Sequence, residues 1–174
     1  MNYLFYILVG MTLIVVQTSI LFRLPFGGQF FDLPVTLVIY LGMLRPPRES
    51  LPLILLMGVL MDHLSGAPFL LYTSTYVWVF FLVLALGSVL QVRLRFRLGV
   101  IVVAAVTLEN AIFVLASHLT ANGAYFPALQ LGKFALRLLW ALLLGPVCIL
   151  LIGRLHEWWD HAVTERIKKT AGTG

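Results

Sequence analysis

Apolar residues gather in six runs, and most of the charge lies in the short segments between them and in the tail that follows. Four runs, residues 3–22, 69–90, 98–119 and 134–153, are 20 to 22 residues long. At about 1.5 Å per residue, a helix of that length crosses a hydrocarbon core about 30 Å thick. The other two, residues 33–44 and 51–64, have 12 and 14 residues. They would reach only about 18 and 21 Å, too little for a helix surrounded by lipid. A re-entrant hairpin built from this pair would hold its tip, Arg45-Pro46-Pro47-Arg48-Glu49, within the bilayer. Each central charge there costs about 2.5–3.5 kcal/mol, which disfavours the hairpin. The pattern therefore predicts an all-α polytopic membrane bundle of about six transmembrane helices, two of them short and packed against neighbours. Past residue 153 the pattern changes. Leu155, Trp158, Trp159, Ala162, Val163 and Ile167 form one helical stripe with charged residues opposite, which predicts an amphipathic helix.

Composition supports this division into a bundle, residues 1–153, and a tail, residues 154–174. Hydrophobic residues make up 61% of the 174 and charged residues 11%, with a mean hydropathy of +1.00. Soluble domains carry about a quarter charged residues, so a soluble enzyme, a disordered regulator and a nucleic-acid-binding domain are excluded. The net charge of +5 then marks topology. Nine basic residues (Arg45, Arg48, Arg93, Arg95, Arg97, Arg154, Arg166, Lys168 and Lys169) fall on one side, and three (Arg23, Lys133 and Arg137) on the other. Both termini are expected in the cytoplasm. The first run lacks a basic n-region and a small-residue cleavage site, and reads as a retained helix. The segments between runs are too short for a soluble domain.

Polar residues inside apolar runs are the places to seek function, because the bilayer makes them costly. Glu109 and Asn110 sit near the middle of the fifth run, Asp62 and His63 close the third, Gln17 lies in the first, and Arg137 is one turn into the sixth. Asp62 and Arg137 fall towards the outer face at similar depth, which suggests an ion pair. For Glu109 no second central carboxylate or basic partner is legible at its depth. It reads first as a protonated or hydrogen-bonded structural carboxyl, and second as part of a proton or substrate path.

The segment from Gly58 to Pro68, Gly-Val-Leu-Met-Asp-His-Leu-Ser-Gly-Ala-Pro, is the most distinctive. Gly58 and Asp62 share a helix face at i, i+4, and Gly58 permits close helix approach. Gly66 suits a helix end and Pro68 the first turn of the next helix. The segment predicts a tight outward turn that fixes the crossing of the third and fourth helices. Catalytic readings are weak. Ser65-Gly66 lacks the earlier glycine of an intramembrane serine protease, because His63 stands there. His156 and His161 are five apart, off one helical face, and the single Cys148 excludes an internal disulfide. No enzyme, cofactor or metal is expected. In the tail, Trp158 and Trp159 read first as interfacial anchors at the lipid headgroups and second as a docking surface for a partner. Arg93, Arg95 and Arg97 read first as topology determinants and second as a lipid or partner site.

Asp32-Leu33-Pro34 through Tyr40-Leu41-Gly42, the basic turn from Arg45 to Glu49, and Gly58 to Pro68 with Asp62 and Gly66 resemble the rod shape-determining protein MreD family. The motif-bearing part covers about residues 30–78; the remainder is similar only in hydropathy. One departure is Leu70, where the family usually has glycine two residues after the proline. The resemblance implies a non-catalytic scaffold in the bacterial inner membrane, within the machinery of lateral peptidoglycan synthesis. Such a protein would bind the bitopic protein MreC. Through it, the MreB cytoskeleton would be linked to the wall synthases RodA and penicillin-binding protein 2. Gly58, Asp62, Gly66 and Pro68 carry over as fold-defining first and partner-contacting second, with Glu109 and Arg137 as further structural or partner-contact candidates. The rival reading is the substrate-binding membrane subunit of an energy-coupling-factor small-molecule transporter, with Asp62, His63 and Arg137 beginning an outward pocket. A proton-coupled carrier resting on Glu109 is a more distant third.

Overall fold

The structure is a computed structural model and describes residues 3–20, 32–66, 70–89, 94–120 and 131–171. Its described residues form an all-α membrane bundle: α1 (Tyr3–Val15, continued by a π-helical turn, Val16–Ile20), α2 (Leu33–Leu44), α3 (Pro47–Ser65), α4 (Leu71–Val89), α5 (Leu94–Thr120) and α6 (Leu131–Ala171). Stretches within α4, α5 and α6 are long and apolar enough to cross a membrane, and α1 and α2 are shorter apolar helices. The helices alternate in direction. One end, which carries Arg45 and Arg48, gathers the start of α1, the turn between α2 and α3, and residues 154–159 of α6. The opposite end gathers the π-helical end of α1, the start of α2, the end of α3 and the start of α4.

α2 explains how a 12-residue helix serves in such a bundle. Every residue from Pro34 to Gly42 is buried, and α2 touches all five other helices. A helix that is apolar all round is stable when protein rather than lipid surrounds it. Both of its boundaries are local. Asp32 stands at the N-cap with Pro34 in the first turn, and Arg45 ends the helix with extended backbone, its N–H reaching the Leu41 carbonyl at 3.0 Å. At Gly42 a Cβ would come within 2.8 Å of a Val83 methyl, so α4 lies directly on α2.

α3 is longer than the apolar pattern suggested, 19 residues in place of 14. Pro46 caps it and Pro47 occupies its first turn, where a fixed φ favours helix and a missing N–H removes nothing. Glu49 then complements the positive end of the helix dipole. The charged turn thus adds length that hydropathy alone cannot register. α6 likewise runs on without a break through Gly153 and Arg154, so the bundle and the start of the tail share one helix.

Candidate functional site

Two polar assemblies, one at each end of the bundle, hold the side chains of interest. The first is the turn from α3 to α4. Gly58 brings the two backbones together: a Cβ there would lie 2.5 Å from Thr73 Cα. One turn later, the Asp62 carboxylate accepts the Tyr72 backbone N–H at 2.7 Å, the Thr73 N–H at 3.2 Å and the Thr73 hydroxyl at 2.7 Å. Tyr72 and Thr73 are the second and third residues of α4, whose amides have no partner within their own helix. Asp62 therefore does for α4 what an N-cap aspartate does for its own helix, but from the neighbouring helix. Gly66 ends α3 in the left-handed region at φ +67°, and Leu70 adopts the same φ just before α4. Glycine holds that conformation freely, whereas a branched side chain is strained there.

The expected Asp62–Arg137 pair does not form. Asp62 turns to α4, and the Arg137 guanidinium donates to Asn110 Oδ1 at 3.1 Å. His63 is exposed and bonds back to the Val59 carbonyl at 2.8 Å. Asp62, His63 and Arg137 thus line no common pocket among the described residues.

Beside this turn, α2, α4, α5 and α6 enclose a buried polar cluster. Asp32 does not cap α2 with its side chain; Tyr76 of α4 donates its hydroxyl to Asp32 Oδ2 at 2.6 Å. Gln17, in the π-helical turn, supplies the cap instead, its Oε1 accepting the Leu33 N–H at 3.3 Å. Glu109 is buried within reach of the charges of both Asp32 and Arg137. The partners that the linear sequence did not place at its depth come from the starts of α2 and α6. Asp32 Oδ1 and Glu109 Oε2 accept no hydrogen bond among the described residues. Tyr72 lies against Phe113 of α5, with ring centroids 5.1 Å apart, and closes one side.

At the opposite end Arg45 organises the second assembly. Its Nε donates to the Tyr6 hydroxyl at 3.0 Å, its guanidinium bonds His156 Nε2, and it sits 5.7 Å from the Tyr6 ring centroid. His156 is buried against Phe5 and Tyr6, and Trp159 stacks on Phe5 at 5.7 Å. The two tail tryptophans therefore differ. Trp159 is part of the packing, while Trp158 is 70% exposed. Arg97 is half-buried near the start of α5. Pro68 and the side chains of Arg93 and Arg95 lie outside the described residues.

Thr73 and Tyr76 were not singled out by the sequence; Asp32 and Arg45 stood out only in the family-like segment and the basic turn, and His156 only as half of a weak metal pair. The available signals were slight: Tyr72 and Tyr76 at i, i+4 with hydroxyl residues between them in an apolar run, and Asp32 as a good cap residue. No family model, curated protein or solved structure matches the chain.

Proposed function

We propose that the chain is a non-catalytic scaffold of the bacterial cell-elongation machinery, similar to MreD, set in the inner membrane with both termini in the cytoplasm. It binds MreC directly and, through it, links the MreB cytoskeleton to RodA and penicillin-binding protein 2. The observation that carries this reading is the use of Asp62. Among the described residues its three side-chain hydrogen bonds all go to the start of α4, beside the glycine contact at Gly58. The segment that resembles the family motif thereby serves to fasten two helices, as a scaffold requires, rather than to open a pocket. Helices in lipid associate through close packing and interhelical hydrogen bonds, and a rigid crossing presents a fixed outer face to a partner helix. The orientation rests on the nine basic residues against three.

The transporter-subunit reading keeps one observation in its favour, the buried Asp32, Glu109 and Arg137 cluster, since binding sites hold a few convergent polar groups. Affinity purification from native membranes in mild detergent, with mass spectrometry of the co-purified proteins, separates the two. MreC with wall synthases is the expected result. Paired ATPases with a membrane coupling subunit would replace the scaffold by the transporter.

A further inference from the structure

The end that carries Arg45 has a second feature, which the scaffold role does not use. The last turn of α2, the start of α5 and α6 border an apolar trough with a cavity volume of about 500 Å³. Met43, Leu44, Leu98 and Leu150 are among its walls, and Arg154 and Glu157 stand at its polar end. Leu44 and Leu150 are 59% and 58% exposed, so the trough opens sideways, towards what surrounds the bundle. Its walls belong to the apolar part of α6, and Arg154 directly follows that part. The trough therefore runs in the hydrocarbon and its mouth stands at headgroup level.

Size limits the occupant. A helix is about 10 Å across and a four-turn piece about 20 Å long, roughly three times the volume available. A single hydrocarbon chain fits such a space. Charge narrows the choice further. Arg154 and Glu157 are three residues apart on α6, on one face, with about 5–6 Å between their Cβ atoms. An anionic headgroup would suit the guanidinium but be repelled by the carboxylate. A headgroup with a phosphate and a primary ammonium, joined by a two-carbon link, meets both.

We propose that the trough between α2, α5 and α6 is a binding site for phosphatidylethanolamine, with one acyl chain against Leu98 and Leu150, the phosphate on Arg154 and the ammonium on Glu157. The ammonium carries three N–H donors for the Glu157 carboxylate. The choline headgroup is of the same charge but has none, so the site discriminates between two lipids of identical net charge.

The test uses the full chain, purified in mild detergent, stripped of lipid and mixed with phosphatidylethanolamine, phosphatidylcholine and phosphatidylglycerol of identical acyl chains. Native mass spectrometry counts the lipid retained. Phosphatidylethanolamine is expected to be retained about tenfold over phosphatidylcholine, the worth of one charge-assisted hydrogen bond. Glu157→Gln should abolish that preference, and Arg154→Gln should lower retention of every phospholipid. Both side chains are exposed, so neither change removes core packing. Gly153→Leu narrows the trough, where a Cβ would meet only the Tyr40 ring at 3.7 Å, and should also lower retention of all three. Equal retention of the three lipids, preference for phosphatidylglycerol, or unchanged retention in Gly153→Leu would overturn the proposal.

Discussion

Replacing Gly58 by alanine adds one methyl group at the point where α3 and α4 touch. Its position would be 2.5 Å from Thr73 Cα, a backbone atom that cannot rotate away. Carbon atoms rest at about 3.5–4.0 Å, so the helices must part by roughly 1–1.5 Å at this point. The bonds from Asp62 to Tyr72 and Thr73, at 2.7, 3.2 and 2.7 Å, lie one turn away. Parting the helices by about 1 Å carries these bonds beyond hydrogen-bonding distance. Overpacking costs about 1–3 kcal/mol, and hydrogen bonds to a charged group contribute about 1.5–3 kcal/mol. With partial loss of the second term, Gly58→Ala is expected to destabilise the bundle by roughly 2–4 kcal/mol. Denaturant titration of the purified chain in mixed micelles measures this. Gly87→Ala is the control: it sits in α4 with nothing within 4 Å of the new Cβ and should be neutral or slightly stabilising. Because Gly58 and Asp62 hold the same contact, Gly58→Ala and Asp62→Asn should combine to less than their sum, by about 0.5–3 kcal/mol. Gly58→Ala indistinguishable from Gly87→Ala, or strict additivity with Asp62→Asn, would refute the fastened crossing.

Leu70→Gly should stabilise the bundle by about 1 kcal/mol in the same titration, by relieving the positive φ; destabilisation would mean that the Leu70 side chain packs usefully in the membrane. Tyr76→Phe takes the hydroxyl donor from the buried Asp32 carboxyl and should cost about 1–3 kcal/mol. Asp32→Asn keeps an acceptor for that hydroxyl and should cost less, and the reverse order would contradict the assigned bond. Arg45→Gln should speed hydrogen exchange in residues 154–159 and leave the Asp62 turn unchanged, because Arg45 ties that segment to Tyr6 and the α2 end. Equal effects at both ends would mean that the two assemblies are not independent.

How much of this was legible in the sequence varied with the range of the interactions. α2 begins and ends where its run of residues said, because Pro34 in its first turn and the stop at Arg45-Pro46 are both written locally, although the side-chain cap comes from Gln17. Gly58 and Gly66 were readable for a similar reason: a close approach and a left-handed helix end each demand one residue type. α3 began earlier than its apolar run because capping, rather than hydropathy, sets a helix start. The pairings were not legible. Asp62 has a plausible partner in Arg137 at equal depth, yet depth does not say which helix faces which, and α4 is the neighbour that Gly58 brings closest. Glu109 is the same case reversed, since Asp32 and Arg137 are brought beside it only by the packing of α2, α5 and α6.

The central claim is a direct interaction with MreC, made by a bundle whose α3–α4 crossing is rigid. Binding of purified MreC to the full chain in lipid nanodiscs, with wild type and Gly58→Ala side by side, tests it most directly. The account predicts saturable binding by the wild type and weaker binding by the variant under conditions where both remain folded. Folded wild-type protein that binds no MreC would contradict it.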